Sequence, residues 1–448
     1  MRALTKIETV SKEAAARVAI AQRLTVERPF GQRKFRTGTI VPCISSYNEL
    51  NIAIENGAHC GAYMSQPFVS NIVRDRLSAL NVINLKGERV DGNAFNLFSG
   101  CISIDPSPYN VYYRDGWESF RAMLARSGHF TDFINGINSS FAERGADIDK
   151  QSGAWRGLVN NERMRVSYTT ELLKGQASFY SFYLSNGLPM ITRDNFDEMT
   201  DVAVELNKTG LTLSQAYQYP YQLSLSLHEN VTKSSKFTGR LIKMIQEENR
   251  FGSEFESVSF NFPNERIHSS SLQRENLSKI LDMLQQLRER NKTTFLMNVD
   301  PAMALVAVHR GVDVVGVPLS GSLWPKRSKA KDRTFIAKGG YLNFMNLEQL
   351  PHEYVYEKFL ENGGRLPHSC YQCKRLTELN MDVNTLAWNT MRKAHAGNCM
   401  TELNDEISKE LEKQDGSLWV GVSDRIDRSN YQNYRDLIRR PSGLSGGF

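Results

Sequence analysis

Residues 293–318 read TTFLMNVDPAMALVAVHRGVDVVGVP, and this run decides the fold. Its first part, 293–299, is an apolar stretch of strand length. Asp300 ends that stretch and stands as the cap of a helix over 301–310. Residues 312–318 then form a second strand rich in valine. A strand, a helix and another strand in so short a span are the unit of a parallel sheet.

The same alternation continues upstream, with a helix at 271–289, a strand at 256–262 (ESVSFNF) and a helix at 194–208. Further towards the N-terminus, 93–104 reads as a strand, 66–82 as helical and 37–45 (TGTIVPCIS) as a buried first strand. Residues 9–24 predict a surface helix or a mobile arm. Between about 123 and 165 the pattern weakens, and the stretch is expected to be a polar insertion outside the core. The last residues, PSGLSGGF, predict a flexible end. Repeated units of this kind predict an α/β parallel sheet, either closed into a barrel or open and doubly wound.

With 448 residues, of which 40% are hydrophobic, the chain can bury a large core, and one enlarged domain accommodates it. Lys and Arg exceed Asp and Glu by 55 to 49, a mildly basic balance that suits a polyanionic partner without requiring one. Six cysteines over so long a chain are no disulfide framework, so a reducing compartment such as the cytoplasm is expected. No run of 18 apolar residues and no signal-peptide pattern occur, and neither secretion nor a membrane partner is expected. Glycine-rich phosphate loops are missing too, which argues against a nucleoside triphosphatase or a nicotinamide enzyme.

Chemistry concentrates near the end of the chain. His368-Ser-Cys370-Tyr-Gln-Cys373 is followed, after 21 intervening residues, by His395 and then by Cys399. Two thiolates from a C-x2-C turn with two further soft or imidazole ligands close a tetrahedral zinc site and leave no position for substrate. Cys370, Cys373 and His395 are three of the ligands, and either His368 or Cys399 is the fourth. The implied Zn2+ is structural.

These residues resemble those of the guanine transglycosylases, whose zinc motif is C-x-C-x2-C with a later His; His368 stands where that family has its first cysteine. The segment from Asp300 through Gly311-Val312-Asp313 is similar to the family's helix leading into a Gly-Val-Asp strand. Ile104-Asp105-Pro-Ser-Pro-Tyr109-Asn110 resembles its Asp-Ser-Gly loop, and Thr37-Gly-Thr-Ile-Val-Pro42 its first barrel strand. The landmarks span residues 37–399 in the family's order. The resemblance implies a TIM (β/α)8 barrel over 31–400 with an inserted zinc-binding subdomain at 320–400. An N-terminal helical extension (1–30) precedes it, and a C-terminal helical segment with a flexible tail (401–448) follows.

The resemblance further implies exchange of guanine in nucleic acid for a 7-deazaguanine such as preQ0. The DNA-modifying branch is favoured over the tRNA enzymes, because the core motifs are so divergent. Homodimerisation or a partner protein stays open. Breaking a glycosidic bond calls for one carboxylate at the sugar and one to shuttle a proton. Asp105 matches one family aspartate, although an Asp before Pro is also a common turn opener. The other, the nucleophile, falls on Gly316, three residues beyond Asp313. Asp300 is the preferred substitute, with a bare helix cap as its alternative; Asp313 completes the acidic set but faces away from position 316 by strand alternation.

Tyr109 and Asn110 stand where the family has an aromatic followed by Gln, and Asn261 in Phe-Asn-Phe is a further base-binding candidate; all three are also ordinary turn residues. Lys326, Arg327, Lys329, Lys331 and Arg333 pack five cations into eight residues beside Trp324. They suit a phosphate-tracking loop or a solvated one. A catalytically silent subunit that binds nucleic acid or a partner enzyme is the alternative that Gly316 raises.

Overall fold

The computed structural model describes residues 38–44, 49, 62–65, 81–83, 89–93, 102–105, 114–125, 128–142, 145–178, 183–216, 219–262, 271–319, 341–344, 348–350, 352–366, 368–378, 386–413 and 437. In chain order the strands are β1 (Thr39–Ile44), β2 (Ala62–Ser65), β3 (Asn81–Ile83), β4 (Arg89–Asn93), β5 (Ile102–Asp105), β6 (Phe141–Ala142), β7 (Gly145–Ala146), β8 (Leu184–Ser185), β9 (Met190–Ile191), β10 (Tyr221–Leu227), β11 (Ser257–Asn261), β12 (Thr293–Met297), β13 (Val314–Pro318), β14 (Tyr341–Asn343) and β15 (Glu348–Leu350). Nine of them form one sheet of order β5-β2-β1-β13-β12-β11-β10-β8, with β9 also on β10. Every pairing in it is parallel. The remaining six make three antiparallel hairpins.

The first strand of this sheet pairs with the last, Thr39 opposite Val314 through Cys43 opposite Pro318. Consecutive sheet strands β5 and β8 therefore end the path, one at each edge. In a flat sheet those edges would lie far apart, yet here they approach each other. Tyr183, just before β8, hydrogen-bonds through its hydroxyl to Thr293 Oγ1 on β12 at 2.7 Å. Three ladder steps separate those strands, about 14 Å in a flat sheet. A direct bond across that span requires the sheet to curl into a half-barrel.

Strand alternation sorts the two faces. Ile40, Leu223, Leu225, Val258, Phe260, Leu296 and Val315 face outwards into the main core, where the helices cover them. Val41, Cys43, Phe295, Met297 and Val314 gather on the inner face with Tyr183. Two strands depart from this apolar lining: Gln222, Ser224 and Ser226 of β10, with Ser257, Ser259 and Asn261 of β11, share a register and are buried. At their lower end Gln222 Nε2 donates to Ser257 Oγ (2.9 Å), whose hydroxyl donates to the Thr293 carbonyl (3.0 Å).

Two side-chain amides replace missing strand partners. Leu184 N bonds to the Pro220 carbonyl on the β10 side, so Ser185 turns its backbone the other way. There the Gln176 amide donates to Ser185 O (2.7 Å) and accepts from Ser185 N (2.8 Å). Ile40 is served likewise: Asn404 Oδ1 accepts from its N–H and Asn404 Nδ2 donates to its carbonyl, each at 2.7 Å.

The helix Pro301–His309 lies where the sequence places it, with Asp300 Oδ1 accepting from Met303 N at 2.8 Å. All nine of its residues are buried. Just beyond it, Arg310 Nη1 reaches the carbonyl of buried Leu437 at 3.4 Å.

Three expectations are corrected. The stretch expected to be a polar insertion belongs to four helices, Arg114–Leu124, Thr131–Ser140, Ile148–Asn160 and Glu162–Ser178. Their buried rings meet edge to face, Phe133 on Trp155 at 4.9 Å and Trp155 on Tyr168 at 5.8 Å, and join the main core. Of the strand expected over 93–104, Asn93 belongs instead to β4, whereas Ile102–Asp105 form β5. A boundary at 400 falls inside one continuous helix, Leu386–Lys413. The N-terminal helix and the tail lie outside the described residues.

Replacing Asn404 by Leu would leave the Ile40 N–H and carbonyl buried without partners, at about 1–3 kcal/mol each. Urea unfolding should show the midpoint falling with an unchanged slope; an unaltered midpoint would mean the surrogate pairing contributes nothing.

Candidate functional site

The C-x2-C pair sits at the start of a helix. Cys370 immediately precedes Tyr371–Glu378 and Cys373 lies in its first turn, so both sulfurs come to one side, 3.5 Å apart. His395 reaches them from the long helix Leu386–Lys413, its Nδ1 being 3.3 Å from each sulfur. His368 completes the group. The four ligand atoms lie within 4.8 Å of one another, a set able to hold a metal ion.

The surroundings fix each ring. His395 Nε2 donates to the Leu342 carbonyl of β14 at 2.7 Å, which leaves Nδ1 as the lone-pair nitrogen facing the sulfurs. Tyr341 stacks on the same ring at 4.3 Å and hydrogen-bonds Cys373 Sγ at 3.2 Å. His368 Nε2 lies 2.9 Å from Glu402 Oε2, so the carboxylate holds that nitrogen as the donor. The other nitrogen of His368, Nδ1, is buried and makes no aligned hydrogen bond among the described residues. A buried ring nitrogen beside two thiols and a second imidazole suits a cation once its proton is displaced. Cys399 is excluded from the set: its sulfur lies 3.7 and 3.5 Å from the two nitrogens of His395, against the ring rather than in front of Nδ1.

Ionisation at the cluster follows the contacts. The hydrogen bond from Cys373, aided by His368 and His395, holds the Cys370 thiol far below its ordinary range against the opposing effect of burial. Burial pushes the Cys373 thiol and the Tyr341 hydroxyl well up. For His368, burial favours the neutral ring, but the Cys370 and Glu402 interactions outweigh it and raise the pKa to about 9.

The carboxylates separate. Asp105 ends β5 and Asp300 follows β12, both at the carboxyl ends of parallel strands. Asp300 serves as the helix cap. Asp313 belongs to the other end of the sheet, because it precedes the first residue of β13. There its Oδ2 accepts from the N–H and the hydroxyl of Thr294, both at 2.9 Å, and its Oδ1 lies 3.1 Å from Arg288 Nε. It is a structural pin, and its candidacy as a catalytic acid is corrected accordingly.

Gly316 is enclosed as well. A Cβ there would meet Cys43 Sγ at 2.4 Å and Met297 Cε at 2.8 Å, so no carboxylate fits the place where the resemblance puts the nucleophile. Asn261 is fully buried at the end of β11 and accepts a hydrogen bond from Asn298. Tyr109, Asn110, Lys326, Arg327, Lys329, Lys331 and Arg333 lie outside the described residues. Sequence reading missed Asn298 and Glu402. A signal for the second was present, since position 402 is seven residues beyond His395 and shares its helix face.

No protein-family model matches the chain, and no curated protein matches its sequence. Among the described residues no helix is long and apolar enough to cross a membrane.

Metal binding must displace the His368 proton. Because that pKa is raised, the proton contributes stability to the metal-free protein that is complete below the ordinary value near 6.5 and disappears as pH rises through about 9. Metal affinity should therefore tighten across that window, with proton release measurable by calorimetry in buffers of different ionisation enthalpy. Cys370→Ser, Cys373→Ser and His368→Ala should each lose stoichiometric metal, whereas Cys399→Ser keeps it. Loss on replacing Cys399 instead of His368 would reverse the ligand assignment.

Proposed function

We propose that this chain is a base-exchange glycosyltransferase of the guanine transglycosylase type, a closed TIM (β/α)8 barrel braced by structural zinc. In this reading it exchanges guanine in nucleic acid, DNA rather than tRNA, for a 7-deazaguanine such as preQ0. One observation carries the reading: the four-ligand cluster follows the last sheet strand in the chain and takes His395 from the helix whose Asn404 returns to the first strand. That placement agrees with the resemblance in both ligand chemistry and order along the chain. The approach of the edge strands β5 and β8 supports barrel closure.

Zinc fits the donors. Tetrahedral bonds of about 2.3 Å to sulfur and about 2.0–2.1 Å to nitrogen need ligand atoms roughly 3.3–3.8 Å apart. The sulfur–sulfur separation is 3.5 Å and the sulfur–Nδ1 separations to His395 are 3.3 Å, whereas the full set with His368 spreads to 4.8 Å, so His368 would draw in on binding. Cys370, Cys373, His395 and His368 would hold the ion and leave it no open position. When bound, it supplies cross-linking and no chemistry.

The reaction then falls to the acids at the carboxyl ends of the strands, the face that carries chemistry in barrels of this kind. Asp300 attacks the sugar C1′ as the bond to guanine N9 breaks, and guanine leaves as its nitrogen takes a proton. The incoming base gives up its own ring proton as its nitrogen attacks C1′ and frees the carboxylate. Asp105 carries the proton in both directions. Lys326 through Arg333 track the phosphates, and Tyr109 with Asn110 contacts the base. A duplex substrate must first expose its target nucleotide.

The closed packing at Gly316 favours a second reading, a catalytically silent subunit that binds nucleic acid or a partner enzyme. Purified chain incubated with radiolabelled preQ0 and either duplex DNA or tRNA separates the two. The expected result is label retained by DNA, with Asp105→Asn and Asp300→Asn each lowering the rate about a hundredfold or more. Label in tRNA alone would overturn the choice of DNA. Label in neither, from folded and metal-loaded protein, would favour the silent subunit.

A further inference from the structure

Two asparagines meet at the carboxyl ends of neighbouring strands. Asn261 ends β11, and Asn298 follows β12 with a φ of 62°, in the left-handed region that few non-glycine residues enter. Along extended backbone the side chain of 298 would face the opposite side from inward-facing Met297. The left-handed turn brings its amide back to the inner face, where Asn298 Nδ2 donates to Asn261 Oδ1.

That bond fixes the amide's orientation. With Nδ2 committed to Asn261, the oxygen is the end presented elsewhere. Asn298 is only 8% exposed and Asn261 is fully buried, yet Asn298 Oδ1 has no hydrogen-bond partner among the described residues. On the same inner face of β11, two residues lower, the Ser259 hydroxyl is also buried and unpartnered among them. Buried acceptors are rarely left unmade, because their desolvation is then uncompensated. Backbone strain and an orphaned acceptor thus coincide at the end of a parallel sheet where ligands bind.

We infer that Asn298 Oδ1 is a specificity-determining acceptor, held in place by Asn261, which takes an N–H of a neutral planar heterocycle. A neutral amide suits an uncharged donor better than a cation, which would call for a carboxylate. The inference rests on the base-exchange reading and deepens it: the heterocycle is guanine, and the donor is its ring N1–H or its exocyclic amino group.

The test uses full-length protein and three free bases measured by calorimetry: guanine, hypoxanthine, which lacks the amino group, and 1-methylguanine, which lacks the ring N–H. Asn298→Gly deletes the amide while easing the left-handed backbone, and Asn261→Ser removes the partner that orients it. Wild-type protein should bind guanine about tenfold more tightly than at least one analogue. Asn298→Gly should erase that ratio with an unchanged unfolding midpoint, and Asn261→Ser should reduce it. Wild-type ratios in a folded Asn298→Gly protein would overturn the inference and leave the base-exchange reading standing. Failure of wild-type protein to bind any of the three would overturn that reading together with the inference.

Discussion

A side-chain amide standing in for a β-strand ties the molecule together. Asn404 makes both ladder bonds to Ile40, upstream of the point where β2 begins to pair with β1. The helix that carries Asn404 also carries His395, more than two turns before it, and Glu402 within the same turn, so one rigid rod spans from the metal-ligand cluster to the first strand of the sheet. Local order around the cysteines is thereby converted into the position of a helix against the sheet. A metal ion held there would stabilise more than its own loop, because the same helix closes the backbone accounts of β1.

The parts of the fold that were legible in sequence are those whose burial differs between faces or whose chemistry is local. SVSFN in β11 alternates because apolar residues face the helices while small polar ones face inwards; the same alternation runs through SLSL of β10, a strand not among those expected from sequence. The Asp300 cap and the C-x2-C turn were legible for the same reason, since each is a contact between residues three apart. The helices from 114 to 178 were not. Trp117, Phe120 and Leu124, and Phe133 with Ile137, recur at helical spacing and are buried, but the glycine, serine and charged residues between them made the stretch read as polar.

The acidic residues illustrate a further limit. Asp105, Asp300 and Asp313 are alike as letters, but the direction of a parallel strand gives its two ends different chemistry. Asp313 lies one residue before β13, which starts at Val314, and its carboxylate is spent on Thr294 and Arg288. The fourth metal ligand was ambiguous for a related reason. His368 and Cys399 both lie near the motif, and only the rotation of the long helix sets Cys399 against the His395 ring while leaving His368 Nδ1 facing the sulfurs.

The helix Pro301–His309 has no face left for water. A cylinder apolar all round needs cover on every side, in the manner of a membrane span. In this chain part of that cover is contributed far along the sequence, where Leu437 packs into the main core and its carbonyl receives Arg310. During synthesis the helix must therefore wait for more than a hundred further residues before its surroundings are complete. Throughout that interval part of its native cover has yet to be made.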